Sequence, residues 1–508
     1  MLQKTKKKSL SLNENKFFNK IAFLSFIILI ISILFSINTN LTNVPELEYH
    51  NEQTLQLLVP SRKCKCTLYF TSNIRDKNYG KDSNKYKIIE YKNRKNYFIT
   101  YFLDDIIYNQ FEYIFKEHGL IRSNYIFADN NFYLNKKYFD LFSNSSKFLR
   151  LNNFKKLYRF FGYEILLKDN LYKCYLEMKK EYNEDYSYMS ETYYYPDDKE
   201  IIREKFGDYE FNINDLWLVK PARKSGGKGI EIFESLKKIK LQNFLLNKYI
   251  TNLDLINNKK YDLRLYILVT GLKPLRVYCN QEGLVRIAAN NFTLNEDFIK
   301  NRYVHLTNVG VSLKSRDFIS PDNSTNGEAN IWTLNMYSDR LKKKNININD
   351  LKQKIYDIII KSMISVYHNL TLEQSKNNLN DVNFFDLLGY DIIITKDFEP
   401  ILLEINSGPS IVYHNQLEKN VKTNLVVDMF NLVGISPFNK NIAFYKNNKI
   451  KNTVEYNVQN AICELNRPRG DYELIFPLKE NINKYKKYFK GKNNEENEMF
   501  WNIIQNDK

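Results

Sequence analysis

Cysteine is scarce in this sequence: there are five in 508 residues, with no CxxC pair among them. Cys64 and Cys66 stand too close together to build a zinc site without distant ligands, and Cys174, Cys279 and Cys463 are scattered. Neither a disulfide framework nor a structural metal centre is expected. A Walker A loop is also missing, because no Ser or Thr follows a Gly-Lys step into a helix. No Ser/His or Cys/His nucleophile system stands out, and there is no internal repeat. Apolar residues are not lacking: 43% hydrophobic and 15% aromatic content excludes a disordered chain and allows two or three packed domains.

The formal net charge is +17. Such a lysine excess attracts polyanions of any kind, whether nucleic acid, anionic lipid or acidic protein tails. Asn, Lys, Ile and Tyr are abundant throughout, loops included, so coding bias accounts for part of the charge as well as function does.

A basic tail, residues 1–20, precedes the uncharged run IAFLSFIILIISILFSI at 21–37. That run is short for a membrane span and long for a signal-peptide core, and no small-residue cleavage site follows it. An uncleaved anchor helix is preferred over a cleaved signal or a buried helix. Lysines before the run and acidic residues after it put the N-terminus in the cytosol and the main body across the membrane. A polar stem is expected at 38–95. An N-terminal lobe follows at 96–205, mixing short aromatic strands with amphipathic helices. Strand and helix alternate more regularly over 206–440, and a basic helical extension occupies 441–508. The fold class expected is α+β.

Four segments carry chemistry. In DLWLVKPARKSGGKGIEIF (215–233) a strand runs to Lys220-Pro221. Gly226, Gly227 and Gly229 then let backbone N–H groups approach an anion, with Lys220 and Lys228 supplying charge. In YDLRLYILV, Asp262 and Arg264 stand two apart and share a strand face. PLRVY and GLVRIAA read as a following hairpin with Arg286 on its second arm. Arg suits bidentate binding of carboxylate or phosphate. In YVHLTNVGVSL, Thr307 and Asn308 suit a sugar or phosphate, while His305 alone reads as a structural histidine. Last, DLLGYDIIITKDFEPILLEINSGPS (386–410) places Asp391, Glu404 and Asn406 inside two strands too apolar to face water on either side. A carboxylate there is costly unless compensated. Paired as a hairpin, the three would offer hard oxygen ligands suited to Mg²⁺. Together these parts fit activation of a carboxylate with ATP, followed by attack of an amine, catalysed by positioning and charge neutralisation.

In this order, WLVKP…GGKGI, KYDLRLYILVT…PLRVY…EGLVRIA, HLTN and LLGYDIII…PILLEINSGPS closely resemble the tubulin–tyrosine ligase-like family of ATP-grasp amide-bond ligases. The lead-in LLKDNLYKCYLEMKKEY…ETYYYPDD (166–198) resembles it too, and the likeness covers about 150–435. It implies an ATP-grasp fold with central and C-terminal α/β lobes, and ATP and Mg²⁺ as cofactors. Lys220 would contact the nucleotide phosphates, and Gly226, Gly227, Lys228 and Gly229 would cover them. Asn247, Lys248, Tyr249 and Ile250 would form the linker framing the adenine, with Asn247 where the family usually carries Gln. Lys260, Asp262, Thr307 and Asn308 would contact nucleotide and ribose. Arg264, Arg286 and Lys168 would bind phosphate and the substrate amino acid, and Asp391, Glu404 and Asn406 would hold magnesium.

PLRVYCNQEGLVRIAANNF is nearer to the polyglutamylases than to tyrosine ligase or the glycylases, although Cys279 and Asn280 stand where aromatic or aliphatic residues are usual. The resemblance therefore implies a ligase joining glutamate to the acidic C-terminal tails of tubulin through an acyl phosphate, with tyrosine or glycine as the alternative. Nucleic acid is not an expected partner. A membrane-anchored microtubule-binding protein without catalysis is the rival of another class, and the complete set Lys220, Arg264, Asp391, Glu404 and Asn406 argues against it. Family likeness puts the catalytic body on the cytoplasmic side, against the charge pattern around residues 21–37.

Overall fold

The computed structural model of the chain describes residues 163–295, 300–324, 327–376, 381–436, 453–489 and 494–506. Before them it describes 55–60, 64, 67–72, 86–91, 100–103, 109–118, 120–122, 132–134, 156–158 and 160. The hydrophobic run 21–37 lies outside these residues. Among the described residues no helix is long and apolar enough to cross a membrane.

Three strands within the span expected as a stem, β1 (Leu55–Pro60), β2 (Thr67–Leu68) and β3 (Tyr86–Tyr91), form an antiparallel sheet in the order β2-β1-β3. Next come β4 (Thr100–Leu103), α1 (Asn109–Glu117), β5 (Ile121–Arg122), β6 (Phe132–Leu134) and β7 (Lys156–Tyr158). They are followed by α2 (Lys168–Tyr182), β8 (Thr192–Tyr195), α3 (Lys199–Phe206), β9 (Trp217–Pro221), β10 (Glu231–Ile232) and β11 (Phe244–Lys248). The chain continues through β12 (Tyr261–Leu272), β13 (Leu275–Asn280), β14 (Leu284–Ile287), α4 (Arg302–His305), α5 (Val309–Ser312), β15 (Ile331–Thr333), α6 (Leu334–Lys343) and α7 (Ile348–Lys376). It closes with β16 (Phe384–Ile394), β17 (Pro400–Ser407), α8 (Gln416–Val433), α9 (Val454–Leu465), β18 (Tyr472–Phe476), α10 (Ile482–Tyr485) and α11 (Glu495–Asn506). The architecture is mixed α/β.

Two sheets position the site. The smaller is antiparallel, in the order β10-β9-β11-β8. Trp217 and Val219 of β9 face a core with Phe206, Phe233 and Leu246. Leu218 and Lys220 alternate with them and so face the other way. The larger sheet runs β15-β14-β12-β16-β7-β6-β4-β5, with β13 beside β12, β18 beside β13 and β17 beside β16. β12 and β16 are buried along nearly their whole length, which fits their near-continuous apolar sequences.

Alternation along β12 divides the core into two layers. Leu263, Leu265, Ile267 and Val269 pack in one cluster with Ile359 and Met363 of α7. Tyr266 and Leu268 pack in another with Leu425, Val426 and Phe430 of α8. α8 is capped at its start by Asn415, whose side chain accepts from Glu418 N–H, and stops at Gly434, where φ is 70°.

PLRVY and GLVRIAA are not a hairpin. β13 pairs with Ile267–Leu272 of β12, and β14 pairs with Tyr261–Arg264 of the same strand. At twelve residues β12 is long enough to take both in succession along one edge. A second correction concerns the cysteines: Cys64 and Cys463 are joined by a disulfide across a sequence separation of 399. It ties the N-terminal segment to α9, and no spacing pattern could have announced a pairing so distant. Cys174 and Cys279 are buried free thiols.

Candidate active site

The face of the large sheet that packs on α8 carries the polar residues at its far end. Asp262 and Arg264 are in phase with Tyr266 and Leu268, and Arg286 is in phase with Leu284. Asp391 is in phase with Phe385 and Leu387. Asp391 lies opposite Arg264 on one side and Glu404 on the other, and Asp262 lies opposite Arg286. A bulge falls where the pairing steps from Asp391–Glu404 to Ile392–Leu402, leaving Leu403 as the extra residue. It lets both Leu402 and Ile405 reach the α7 core while Glu404 stays on the polar face.

Side chains bridge these strands. Arg264 donates to both oxygens of Asp391, from Nε at 2.6 Å and Nη2 at 3.0 Å. Arg286 is bidentate to Asp262, at 2.7 and 2.6 Å, and its Nη2 also lies 2.8 Å from Asp391 Oδ2. Thr307 Oγ1 donates to Asp262 Oδ2 at 2.5 Å. Lys168 Nζ, from the start of α2, is 2.9 Å from Glu404 Oε2. Burial raises the Asp391 carboxyl pKa, but Arg264 and Arg286 outweigh it and hold the group well below the usual carboxylate range. Gly389 makes room for this network. A Cβ there would lie 2.8 Å from Pro409 and 3.3 Å from the Arg264 side chain.

The expected metal ligands converge as a set. The Asn406 amide lies 3.1 Å from Glu404 Oε1 and 3.3 Å from Asp391 Oδ2. Neighbouring corners of an octahedron with Mg–O distances of about 2.1 Å are about 3 Å apart, so the three groups fit hard-cation binding once the Asn406 amide presents its oxygen. Among the described residues no group of three His, Cys, Asp or Glu gathers into a metal site, and the set here is two carboxylates and an amide.

Between the two sheets lies an open cleft. Its charged wall includes Lys168, Lys220, Lys228 and Lys260, facing Asp391 and Glu404, and Leu218, Ile230, Leu306 and Leu403 supply apolar surface. Cations and apolar walls together fit a nucleoside triphosphate. Burial pulls the Lys220 pKa down to about 8, with Glu404 opposing, and that of Lys260 to about 7, with Lys220 adding repulsion. Gly227 has φ 70°, and a Cβ on it would come within 3.0 Å of Asn308 Oδ1. The glycine loop therefore rests against the Thr307–Asn308 segment.

Gly227, Asp262, Arg286, Thr307 and Asn308 also line the cleft. Arg264, Gly226, Gly229, Asn247, Lys248, Tyr249, Ile250 and Asn406 do not line it directly. Asn247 Nδ2 donates to Thr192 Oγ1 at 2.6 Å, and Lys248 reaches outward to Asp215 at 3.3 Å. Tyr249 OH lies 2.8 Å from His305 Nδ1 and 3.2 Å from Lys260 Nζ. His305 also lines the cleft, as do Lys224 and Leu403. Sequence reading took His305 as structural and passed over Lys224 and Leu403, and for Leu403 the only signal was its place beside Glu404. Cys279 and Asn280 are buried within β13 and are absent from the cleft wall.

The Tubulin-tyrosine ligase family model matches residues 147–442, more than half of the chain. The chain belongs to that family. Among curated relatives, Tubulin polyglutamylase TTLL5 of Mus musculus is 31% identical over 276 residues, 54% of this chain and 20% of that protein. Tubulin monoglutamylase TTLL4 of Mus musculus is 28% identical over 293 residues, 57% of this chain and 24% of that protein. Probable tubulin polyglutamylase TTLL2 of Homo sapiens is 32% identical over 271 residues, 52% of this chain and 44% of that protein. The chain thus matches less than half the length of each of these relatives.

Proposed function

We propose that this chain is an ATP- and Mg²⁺-dependent ligase of the ATP-grasp type that joins glutamate to the acidic tails of tubulin. The observation that carries the reading is the convergence of Asp391, Glu404 and Asn406 with Arg264 and Arg286 on one sheet face, met by Lys168 from α2 and lying opposite Lys220. Relatives named as tubulin polyglutamylase or monoglutamylase support glutamate and tubulin.

In this reading Lys220, Lys260 and the glycine loop bind the triphosphate, and Leu218, Ile230 and Leu403 hold the base. Asp391, Glu404 and Asn406 would hold the magnesium, which neutralises phosphate charge when bound. Arg264 and Arg286 orient the carboxylate that is activated as an acyl phosphate. The phosphoryl group comes from ATP, which leaves as ADP. The amine of the incoming amino acid then attacks the acyl carbon and expels inorganic phosphate, and catalysis comes from placement and charge neutralisation. Residues 21–37 would anchor the enzyme to a membrane.

Purified chain, ATP, Mg²⁺ and tubulin are incubated with labelled glutamate, tyrosine or glycine. Incorporation of glutamate is expected, falling at least about 10²-fold in Glu404→Gln. Incorporation of tyrosine or glycine instead would change the substrate, and incorporation of none would refute the ligase.

A further inference from the structure

The glycine loop after β9 is gripped from two sides, from the start of α2 and from the start of α4. On one side Asp169, in the first turn of α2, accepts from Arg223 Nε at 3.2 Å and Nη2 at 3.1 Å. Its neighbour Lys168 donates to the Lys224 carbonyl at 3.1 Å. On the other side Arg302, opening α4, donates from Nη2 to the Gly227 carbonyl at 2.6 Å. The fixed points are therefore residues 223 and 224, before the turn at 226–229, and Gly227 within it.

The Asp169–Arg223 pair is lopsided. The Asp169 side chain is 4% exposed and that of Arg223 is 59% exposed. Asp169 Oδ1 has no hydrogen-bond partner among the described residues, so the buried carboxylate leans on the loop arginine. Swinging the loop away would strip that carboxylate of its cation, and a buried charge left without its partner is strongly unfavourable. The burial of Asp169 thereby biases the loop towards the position it holds over the cleft.

We propose that Asp169, Arg223 and Arg302 are positioning residues that form a clasp on the glycine loop, so that α2 and α4 set its closure over the nucleotide. The clasp deepens the nucleotide reading of the cleft and rests on it. Hydrogen exchange of the amides at 224–229 in the ligand-free full chain tests the clasp without nucleotide. Asp169→Asn, Arg223→Gln and Arg302→Gln should each speed exchange about tenfold, and Asp169→Asn with Arg223→Gln should do no more than either alone. With ATP, each single variant should raise KM for ATP about tenfold with kcat within about twofold, and Arg302→Lys should restore most of the loss. Should Asp169→Asn fail to fold, Arg223→Gln, on the exposed partner, carries the same test. Unchanged exchange in the variants, or additive effects of the pair, would overturn the clasp. A wild-type chain that binds no ATP by calorimetry, with exchange altered as expected, refutes the nucleotide reading and leaves the clasp standing.

Discussion

Arg264 and Asp391 face each other at directly paired positions of β12 and β16 and share two hydrogen bonds, at 2.6 and 3.0 Å. The side chains are 11% and 3% exposed, so neither charge has water to fall back on. Arg264→Met should lower unfolding free energy by about 3–5 kcal/mol in denaturant titrations, because Asp391 loses two charged hydrogen bonds and keeps one cation, Arg286, which it shares with Asp262. Adding Asp391→Asn should recover part of that loss. Strictly additive losses would show that the pair is not coupled.

Lys220 and Lys260 titrate near neutrality, at about 8 and about 7, because both are buried. A neutral amine cannot pair with phosphate, so binding a polyphosphate draws protons onto them. At pH 7.5 ATP binding should take up about one proton, and affinity should fall as pH rises through 7 and 8. Calorimetry in buffers of different ionisation enthalpy measures that uptake, and heats independent of buffer would contradict it. The ligand-free protein should show the opposite trend. Both folded-state pKa values lie below the unfolded lysine value, so the unfolded chain binds more protons from about pH 7 to 10. These two groups therefore add stability as pH rises through that window, and it is lost as pH falls through 8 and then 7.

Gly389→Ala tests the crowding beneath the arginine. The new methyl would meet Pro409 at 2.8 Å and the Arg264 side chain at 3.3 Å. A loss of about 1–3 kcal/mol in thermal or chemical unfolding is expected, with weakened ATP binding as Arg264 shifts. A variant as stable and active as the parent would mean that this approach is looser than described.

The Cys64–Cys463 bond makes two cellular observations stand or fall together. Disulfides persist in oxidising compartments, on the side of a membrane where Asn-X-Thr sequons are glycosylated. Asn291, followed by Phe292 and Thr293, is exposed. Chain isolated from its cell with the disulfide formed should carry glycan at Asn291, and chain with reduced cysteines should carry none. Non-reducing gels and glycosidase treatment read both, and a mismatch would break the link. Cys463→Ser should cost the oxidised protein about 2–5 kcal/mol in unfolding free energy.

Much of the site was legible because a strand has a period of two. Asp262 and Arg264, and Glu404 and Asn406, announce a shared face by spacing, and carboxylates inside apolar runs announce that something must compensate them. The pairing of β16 with β17 followed from the turn between them. What was not legible depended on partners. That β13 and β14 share one edge of β12 is set by the length of that strand, and the bulge at Leu403 exists only once β16 is paired. Asp169 and Arg302 sit at helix starts, where no periodicity marks them, and their role appears only when the loop is in place.

The same sulfur bridge changes the chain's topology. Residues 64 to 463 form a covalent ring that contains every proposed ligand of ATP and metal, with an N-terminal and a C-terminal tail outside it. A protease that nicks the ring once opens it without releasing a fragment. Tension applied through the N-terminal tail, as by an anchor held in a bilayer, enters the ring at residue 64. There it divides between the main chain leading to β2 and the bridge leading to α9, rather than passing along the main chain alone.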